Sequence, residues 1–455
     1  MNASAPATAA TRSLPRVVAA SLIGTTIEWY DYFLYGTAAA LVFNKLFFPN
    51  TDPLTGTLLS FLTYAIGFAA RPIGALVFGH FGDRVGRKKL LVVSLLLMGG
   101  STTLIGVLPT YSSIGAAAPV LLTVLRLVQG FALGGEWGGA VLLVSEHGDQ
   151  RRRGFWASWP QGGAPAGNLL AAGVLSLLTA VLSEDAFLSW GWRVPFLLSA
   201  VLVGVGLWIR LAVDESPLFK QALAAQRQRA VVEQPPLVAV LRNHWREVLV
   251  AMGARMAENI SYYVMTTFVL TYAVTHAHFS KQTALNAVLI GSAIQFALIP
   301  LFGALSDRVG RKPVYLVGAV GVGVWAFVFF GLVDTRSFGQ LVVAVTVGLV
   351  FHSAMYAPQA AFFSELFATR MRYSGASIGA QFASVAAGAP APLIATALLK
   401  DYGSATPISV YVAIAAAITV LAVLCGRETR NTDLTDVEGA VEPEAAAVVA
   451  KPATA

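Results

Sequence analysis

The sequence predicts an all-α membrane protein of twelve transmembrane helices in two pseudo-symmetric six-helix bundles. Three observations lead there. Apolar residues make up 56% of the 455 residues and charged residues only 12%, well under the roughly one quarter charged in a soluble domain. The chain divides into about twelve apolar runs of roughly 20 residues or more, each long enough to cross a bilayer core of about 30 Å. A ten-residue pattern, G-x-x-x-D-R-V-G-R-K, occurs twice, at Gly79 to Lys88 and at Gly303 to Lys312, each time between two apolar runs.

The elements follow in order. Residues 1–16 form a polar, small-residue segment. Span 1 (17–43) is too long, and too rich in acidic and aromatic residues, for a cleaved signal peptide. Spans 2 (55–81) and 3 (89–109) flank the first copy of the pattern, where Gly79 and Gly86 permit a sharp, tightly packed turn. Span 4 (117–145) carries Arg126 and a small-residue face of Gly130, Gly134, Gly135, Gly138 and Gly139. Span 5 (154–182) carries Gln161-Gly-Gly-Ala-Pro165, and span 6 (194–213) completes an N-terminal bundle over 17–213. Residues 214–245 are polar, contain Pro235-Pro236 and read as a linker.

The C-terminal bundle, 246–426, repeats the layout. Span 7 (246–274) carries Glu258 before Tyr262 and Tyr263, as span 1 carries Glu28 before Trp29, Tyr30 and Tyr32. Spans 8 (283–306) and 9 (313–333) flank the second copy of the pattern. Span 10 (338–362) is followed by Ser364-Glu365 and then Arg370, as span 4 ends in Ser145-Glu146 before Arg151. Span 11 (372–399) carries Gln381 and Gly388-Ala-Pro390, and span 12 (407–426) ends the bundle. These matches share an offset of about 220–230 residues, which signals duplication. Residues 427–455 are Ala/Glu/Val-rich without heptads and read as a disordered tail.

The net charge of +7 lies in alternate loops, including Arg84, Arg87, Lys88, Arg151 to Arg153, Arg308, Arg311 and Lys312. That asymmetry places both termini in the cytoplasm and removes the case for nucleic-acid binding. Cys425 stands alone, so no disulfide forms within the chain. No metal-ligand, phosphate-loop or nucleophile motif is present, so no cofactor and no enzymatic activity are expected. Two related halves of membrane spans are the layout of a secondary transporter.

Several stretches narrow this further: Gly24-Thr-Thr-Ile-Glu28-Trp29-Tyr30-Asp31-Tyr32, Arg71-Pro72-Ile-Gly74, Gly134-Gly135-Glu136-Trp137-Gly138-Gly139 and Ser189-Trp-Gly-Trp-Arg193-Val-Pro-Phe196. With the duplicated loops, they resemble the major facilitator superfamily and, within it, the metabolite:H⁺ symporter family, whose members include permeases for shikimate, α-ketoglutarate, citrate and proline or betaine. Phe363-Ser364-Glu365-Leu366-Phe367 looks most like the shikimate branch. The resemblance implies a monomer in the bacterial inner membrane, driven by the proton gradient, that imports a small organic acid. The alternatives are a zwitterion or osmolyte symporter, a drug:H⁺ antiporter and a non-transporting membrane sensor.

Ionisable residues within spans are costly and therefore functional candidates. Glu28 and Asp31, three residues apart on one helix face, are expected to discourage each other's ionisation and so hold a proton. Arg126-Leu-Val-Gln129-Gly130 resembles the superfamily's R-x-x-Q-G signature of proton-coupled members, and Glu136 is a further candidate for coupling. Arg71, Arg126, Arg255 and Glu258 are candidates for substrate binding, with Tyr32, Tyr35, Gln129, Trp137, Gln161, Tyr262, Tyr356 and Gln381 as polar or flat partners. His352 is a weaker case. Gly79, Asp83, Arg84, Gly86, Arg87 and Glu146, with Asp307, Arg308, Arg311 and Glu365 in the other half, are expected to gate the cytoplasmic side.

Overall fold

The computed structural model describes residues 7–75, 77–78, 87–134, 150–212, 242, 244–367, 379–388, 390–430 and 432. Every expected span carries a helix: α1 (Ala7–Ala38), α2 (Pro53–Ala75), α3 (Arg87–Val107), α4 (Ala117–Leu133), α5 (Arg153–Val181), α6 (Arg193–Ala212), α7 (Trp245–Tyr263), α8 (Lys281–Val309), α9 (Arg311–Asp334), α10 (Phe338–Leu366), α11 (Gly379–Tyr402) and α12 (Thr406–Cys425). Among the described residues, seven helices are long and apolar enough to span a membrane unaided, and a bent pair, Glu184–Gly191 with Arg193–Trp208, makes an eighth. α1 and α7 miss that standard. They carry the mid-span charges Glu28, Asp31, Arg255 and Glu258, and each is interrupted by a π-turn, at Ala39–Phe43 and Val264–Phe268. Local signals start several helices. Asp52 accepts the Thr55 backbone N–H ahead of Pro53 at the start of α2, and Ser280 does the same for Thr283 in α8.

The helices form two groups, α1–α6 and α7–α12, in contact along α5/α8 and α2/α11. Within the N half, α2 and α4 approach so closely that a Cβ on Gly130 would strike the carbonyl of Gly67. Across the seam, Asn168 Nδ2 donates to Ser292 Oγ at 3.0 Å and Ser176 Oγ donates to Asn286 Oδ1 at 2.6 Å. The outward faces of α3, α4, α8, α9 and α12 expose large apolar side chains, among them Leu104, Val120, Leu301, Val324 and Leu421. Such a surface suits lipid and is foreign to water.

The end of the bundle where α2 leads to α3, and α8 to α9, is called here the basic face; the opposite end is the far face. Residues 427–430 and 432, which the sequence places in the tail, lie on the basic face. Glu428 accepts the backbone N–H groups of Arg311 and Lys312 at 2.9 and 3.0 Å and so caps α9. Thr429 Oγ1 donates to Glu365 Oε2 at 2.7 Å.

Candidate functional site

Between the halves lies a small cavity of about 30 Å³, room for a water or two and well short of the few hundred Å³ of an open small-ligand site. It is lined by Glu28, Trp29 and Tyr32 of α1, Arg71 of α2, Leu133 of α4, Arg255 of α7, and Ala380, Gln381 and Ser384 of α11. A crevice too narrow for water continues from it into the N half along Glu28, Tyr32, Arg71, Arg126 and Gln129. Arg71 is 6% exposed. Its guanidinium lies 4.0 Å from the Phe68 ring centre and 4.7 Å from that of Tyr32. Among the described residues it makes no ion pair, and its Nη2 has no hydrogen-bond partner. Arg126 lies over the rings of Tyr32, Tyr35 and Tyr64 at 4.4 to 5.0 Å, donates to Gln129 Oε1, and Gln129 in turn donates to Thr102 Oγ1 at 2.8 Å. Two cations thus share one aromatic cage, whose ring faces offset part of their burial and mutual repulsion.

The two acids of α1 part company. Glu28 lines both spaces. Asp31 is fully buried behind α1, where its Oδ1 accepts from Ser199 Oγ of α6 at 2.6 Å and its Oδ2 has no partner. The expected mutual repulsion is therefore replaced by a different setting for Asp31, with Ser199, Thr102 and Arg126 as neighbours. Three residues of separation put two side chains on neighbouring helix stripes, and here α6 claims one stripe while the cavity claims the other.

In the C half, Arg255 Nε and Glu258 Oε2 pair at 3.3 Å. Glu258 also accepts from Asn259 and Gln359 and faces His352 Nε2 at 3.5 Å. Gln381 lines the cavity with its Oε1 unpartnered. Tyr35, Gln161, Tyr262 and Tyr356 lie outside the cavity lining. The Tyr35 hydroxyl meets Thr63, Gln161 Nε2 donates to the Tyr356 carbonyl across the halves at 3.2 Å, and the Tyr262 ring stands 4.7 Å from that of His352. Gln295 and Gln359, expected from the sequence among the polar lining of the cavity, instead bond His352 and Glu258; Tyr64, Phe68, Tyr263 and Ser199 complete these settings and were not singled out by sequence, although Tyr64 and Phe68, one turn apart on α2 beside Arg71, were a readable signal.

At the basic face, Asp307, Arg311 and Glu365 meet as expected, and the cluster reaches across the halves. Arg311 pairs with Asp307 at 2.7 Å and Glu365 at 3.2 Å, and Glu365 pairs with Arg153 of α5 at 2.9 Å. Asp307 accepts the backbone N–H groups of Gly154 and Phe155, both at 2.8 Å, so a residue of one half caps a helix of the other. Arg308 is exposed and takes no part in this cluster. Gly79, Asp83, Arg84, Gly86, Glu136, Trp137 and Glu146, and the side chain of Arg87, lie outside the described residues. At the far face the halves also meet. Lys281 reaches Glu184 at 3.3 Å, and Lys400 reaches Asp52 at 3.9 Å. The hydrogen bond from Lys45, then the charge of Lys281, hold the Glu184 carboxyl below its ordinary range. The Tyr32 and Tyr263 rings close the middle at 6.0 Å. Among the described residues, the halves thus meet on both sides of the cavity.

A chain of two related helix bundles around a shared central cavity has known counterparts. Residues 17–235 match the family model described as sugar (and other) transporter, and residues 248–446 match that of the Major Facilitator Superfamily. The "Shikimate transporter" of Escherichia coli (strain K12) is 38% identical over 418 residues, covering 91% of this chain and 95% of the relative. The chain belongs to the major facilitator superfamily. It is a transporter and not an enzyme. The "Inner membrane metabolite transport protein YhjE" of the same organism is 41% identical, with 92% of this chain and 95% of the relative covered. The "Proline/betaine transporter" of that organism is 33% identical, with coverages of 92% and 85%. The proton:xylose symporter XylE bound to 6-bromo-6-deoxy-D-glucose superposes with a TM-score of 0.73 at 19% identity, covering 94% of this chain and 99% of that one. This likeness shows the major facilitator fold.

Proposed function

We propose that this transporter is a proton-coupled symporter that imports a small organic acid across the bacterial inner membrane by alternating access. It acts as a monomer, with the basic face and both termini in the cytoplasm, and needs no cofactor beyond the proton gradient. Arg71 carries the reading. A guanidinium buried at the wall of a cavity between the halves, with no ion pair among the described residues, is costly unless an anion joins it in part of the cycle. A substrate carboxylate supplies that anion. Arg126, held by Gln129, and Arg255, held by Glu258, stand on either side as secondary donors.

In the cycle, the acid and a proton enter while the far face is open. The carboxylate docks on Arg71, and Asp31 takes the proton, which removes a negative charge from beside Arg126. The halves rock about the site, the cluster of Arg153, Asp307, Arg311 and Glu365 parts, and both leave on the cytoplasmic side.

A betaine- or proline-like substrate is the second reading, favoured by the proline/betaine relative. A quaternary ammonium wants open aromatic faces. Here Arg71 and Arg126 already occupy the faces of Tyr32, Tyr35, Tyr64 and Phe68, which weighs toward the acid. The deciding experiment is uptake into proteoliposomes under an imposed inward pH gradient, using labelled shikimate, benzoate, α-ketoglutarate and betaine. Accumulation of an acid that collapses with an uncoupler supports the proposal. Gradient-independent uptake, or uptake of betaine alone, overturns it.

A further inference from the structure

Asp31 serves the N half, yet the C half holds a second buried acid with a more elaborate setting. One oxygen of Glu258 of α7 accepts from Asn259 Nδ2 at 3.1 Å and Gln359 Nε2 at 3.2 Å and pairs with Arg255 Nε at 3.3 Å. Its other oxygen, Oε1, faces His352 Nε2 of α10 at 3.5 Å. Behind the imidazole, Gln295 of α8 places its Nε2 at 2.7 Å from His352 Nδ1. All of these side chains are buried. The charged or titratable groups around the pair, among the described residues, are Arg255 and Tyr262 of α7, Tyr315 of α9, whose hydroxyl accepts from Gln359, and Tyr356 of α10.

The hydrogen-bond pattern defines the proton's place. With the Gln295 amide donating, Nδ1 accepts and the imidazole's proton lies on Nε2, the nitrogen 3.5 Å from Glu258 Oε1. The buried Oε1 of Gln295 has no partner in this arrangement. Rotating the amide by half a turn presents that oxygen to Nδ1, which then carries a second proton. The amide therefore accommodates both protonation states without moving a helix.

We propose that Glu258 and His352 bind a second transported proton, distinct from the one held by Asp31. This rests on the symport reading above. The incoming proton binds His352 Nδ1 while the Nε2 proton passes to Glu258 Oε1, so the imidazole ends neutral and the carboxylate becomes a carboxyl. Glu258 then carries no charge to hold Arg255. Arg255 lines the main cavity, so its guanidinium is released toward a substrate carboxylate at the moment the proton arrives. Proton and anion enter the C half together, and buried charge is conserved.

The test measures proton-to-substrate stoichiometry from reversal potentials in proteoliposomes, using labelled shikimate, or benzoate if shikimate is not accumulated. The expected value is two protons per acid in the native protein and one in His352→Asn. One proton per acid in the native protein, or the same value in both proteins, overturns the proposal. If His352→Asn does not fold, His352→Gln, which keeps an amide able to bond Gln295, replaces it; if both are lost, the native stoichiometry decides. No proton-driven accumulation of any acid by the native protein overturns the symport reading itself. Accumulation with one proton overturns only the second site.

Discussion

Replacing Arg153 with glutamine tests whether the basic face is a latch between halves. The native guanidinium bonds Glu365 at 2.9 Å, with the two side chains 2% and 0% exposed. Removing one member of a buried pair costs about 3–5 kcal/mol when it strands the other charge. Here Glu365 keeps Arg311 at 3.2 Å and Thr429 at 2.7 Å, so no carboxylate is stranded. What is lost is the charge-assisted hydrogen bond to Glu365, worth about 1.5–3 kcal/mol, together with a longer one to the Thr432 carbonyl at 3.2 Å. The Glu365 bond exists only while the halves touch at this face, so its loss shifts the closed-to-open ratio by about 10- to 150-fold at 1.4 kcal/mol per decade. The assay reads the open fraction directly. Ser158 is buried on α5 against Gly303 of α8. In a Cys425→Ser background, Ser158→Cys reacts with maleimide only when the seam opens. With opening rare and fast, the alkylation rate scales with the open population. Adding Arg153→Gln should raise that rate by the same factor. A rise below about threefold, under 0.7 kcal/mol, would refute the latch.

Three further outcomes are expected. Asp31→Asn keeps the size and the Ser199 contact but not the titration, so it should abolish pH-driven accumulation in the uptake assay while leaving substrate counterflow within about threefold of native. Gly303→Ala places a Cβ 2.6 Å from the carbonyl of Gly154, a backbone atom that cannot swing away, so the basic face should fail to close. Transport should fall by more than about tenfold, with the thermal midpoint little changed and maleimide labelling at Ser158→Cys fast. Burial would raise the Glu428 carboxyl, but the backbone N–H groups of Arg311, Lys312, Arg430 and Thr429 outweigh it and leave it below the ordinary 4.5. A depressed value means the stabilisation is fully present above 4.5 and is lost as pH falls through the lowered value. Glu428→Gln should therefore lower the melting temperature at pH 7, and the difference from native should close in acid.

Much of the fold was legible because a bilayer imposes length. Span boundaries expected at 154–182, 194–213 and 407–426 fall within a residue of Arg153–Val181, Arg193–Ala212 and Thr406–Cys425. The duplicated loop led to Asp307, Arg311 and Glu365 because a charged turn between apolar runs has few structural uses. Partnerships were less legible. Whether Asp31 faces Glu28 or Ser199 depends on which helix lies behind α1, and apolar periodicity does not encode neighbours. Arg153 read as one more positive-inside residue, since nothing local distinguishes a loop cation from one that crosses to the other half. The Gln295–His352–Glu258 relay joins α8, α10 and α7 at wide sequence separation, and each residue alone has an ordinary structural explanation. The cap that Glu428 places on α9, and the Thr429 bond to Glu365, were hidden by the composition of the long segment behind them.

The paired π-turns also give the two halves a common ruler. α1 and α7 carry theirs at matching places in the first span of each half. Counted back from these turns, Glu258 stands where α1 has Phe33, not Glu28, so the match between the two acids read from the sequence is corrected. The halves share the widened turn but not the position of their carboxylates, and the charges around the seam are therefore not symmetric between them.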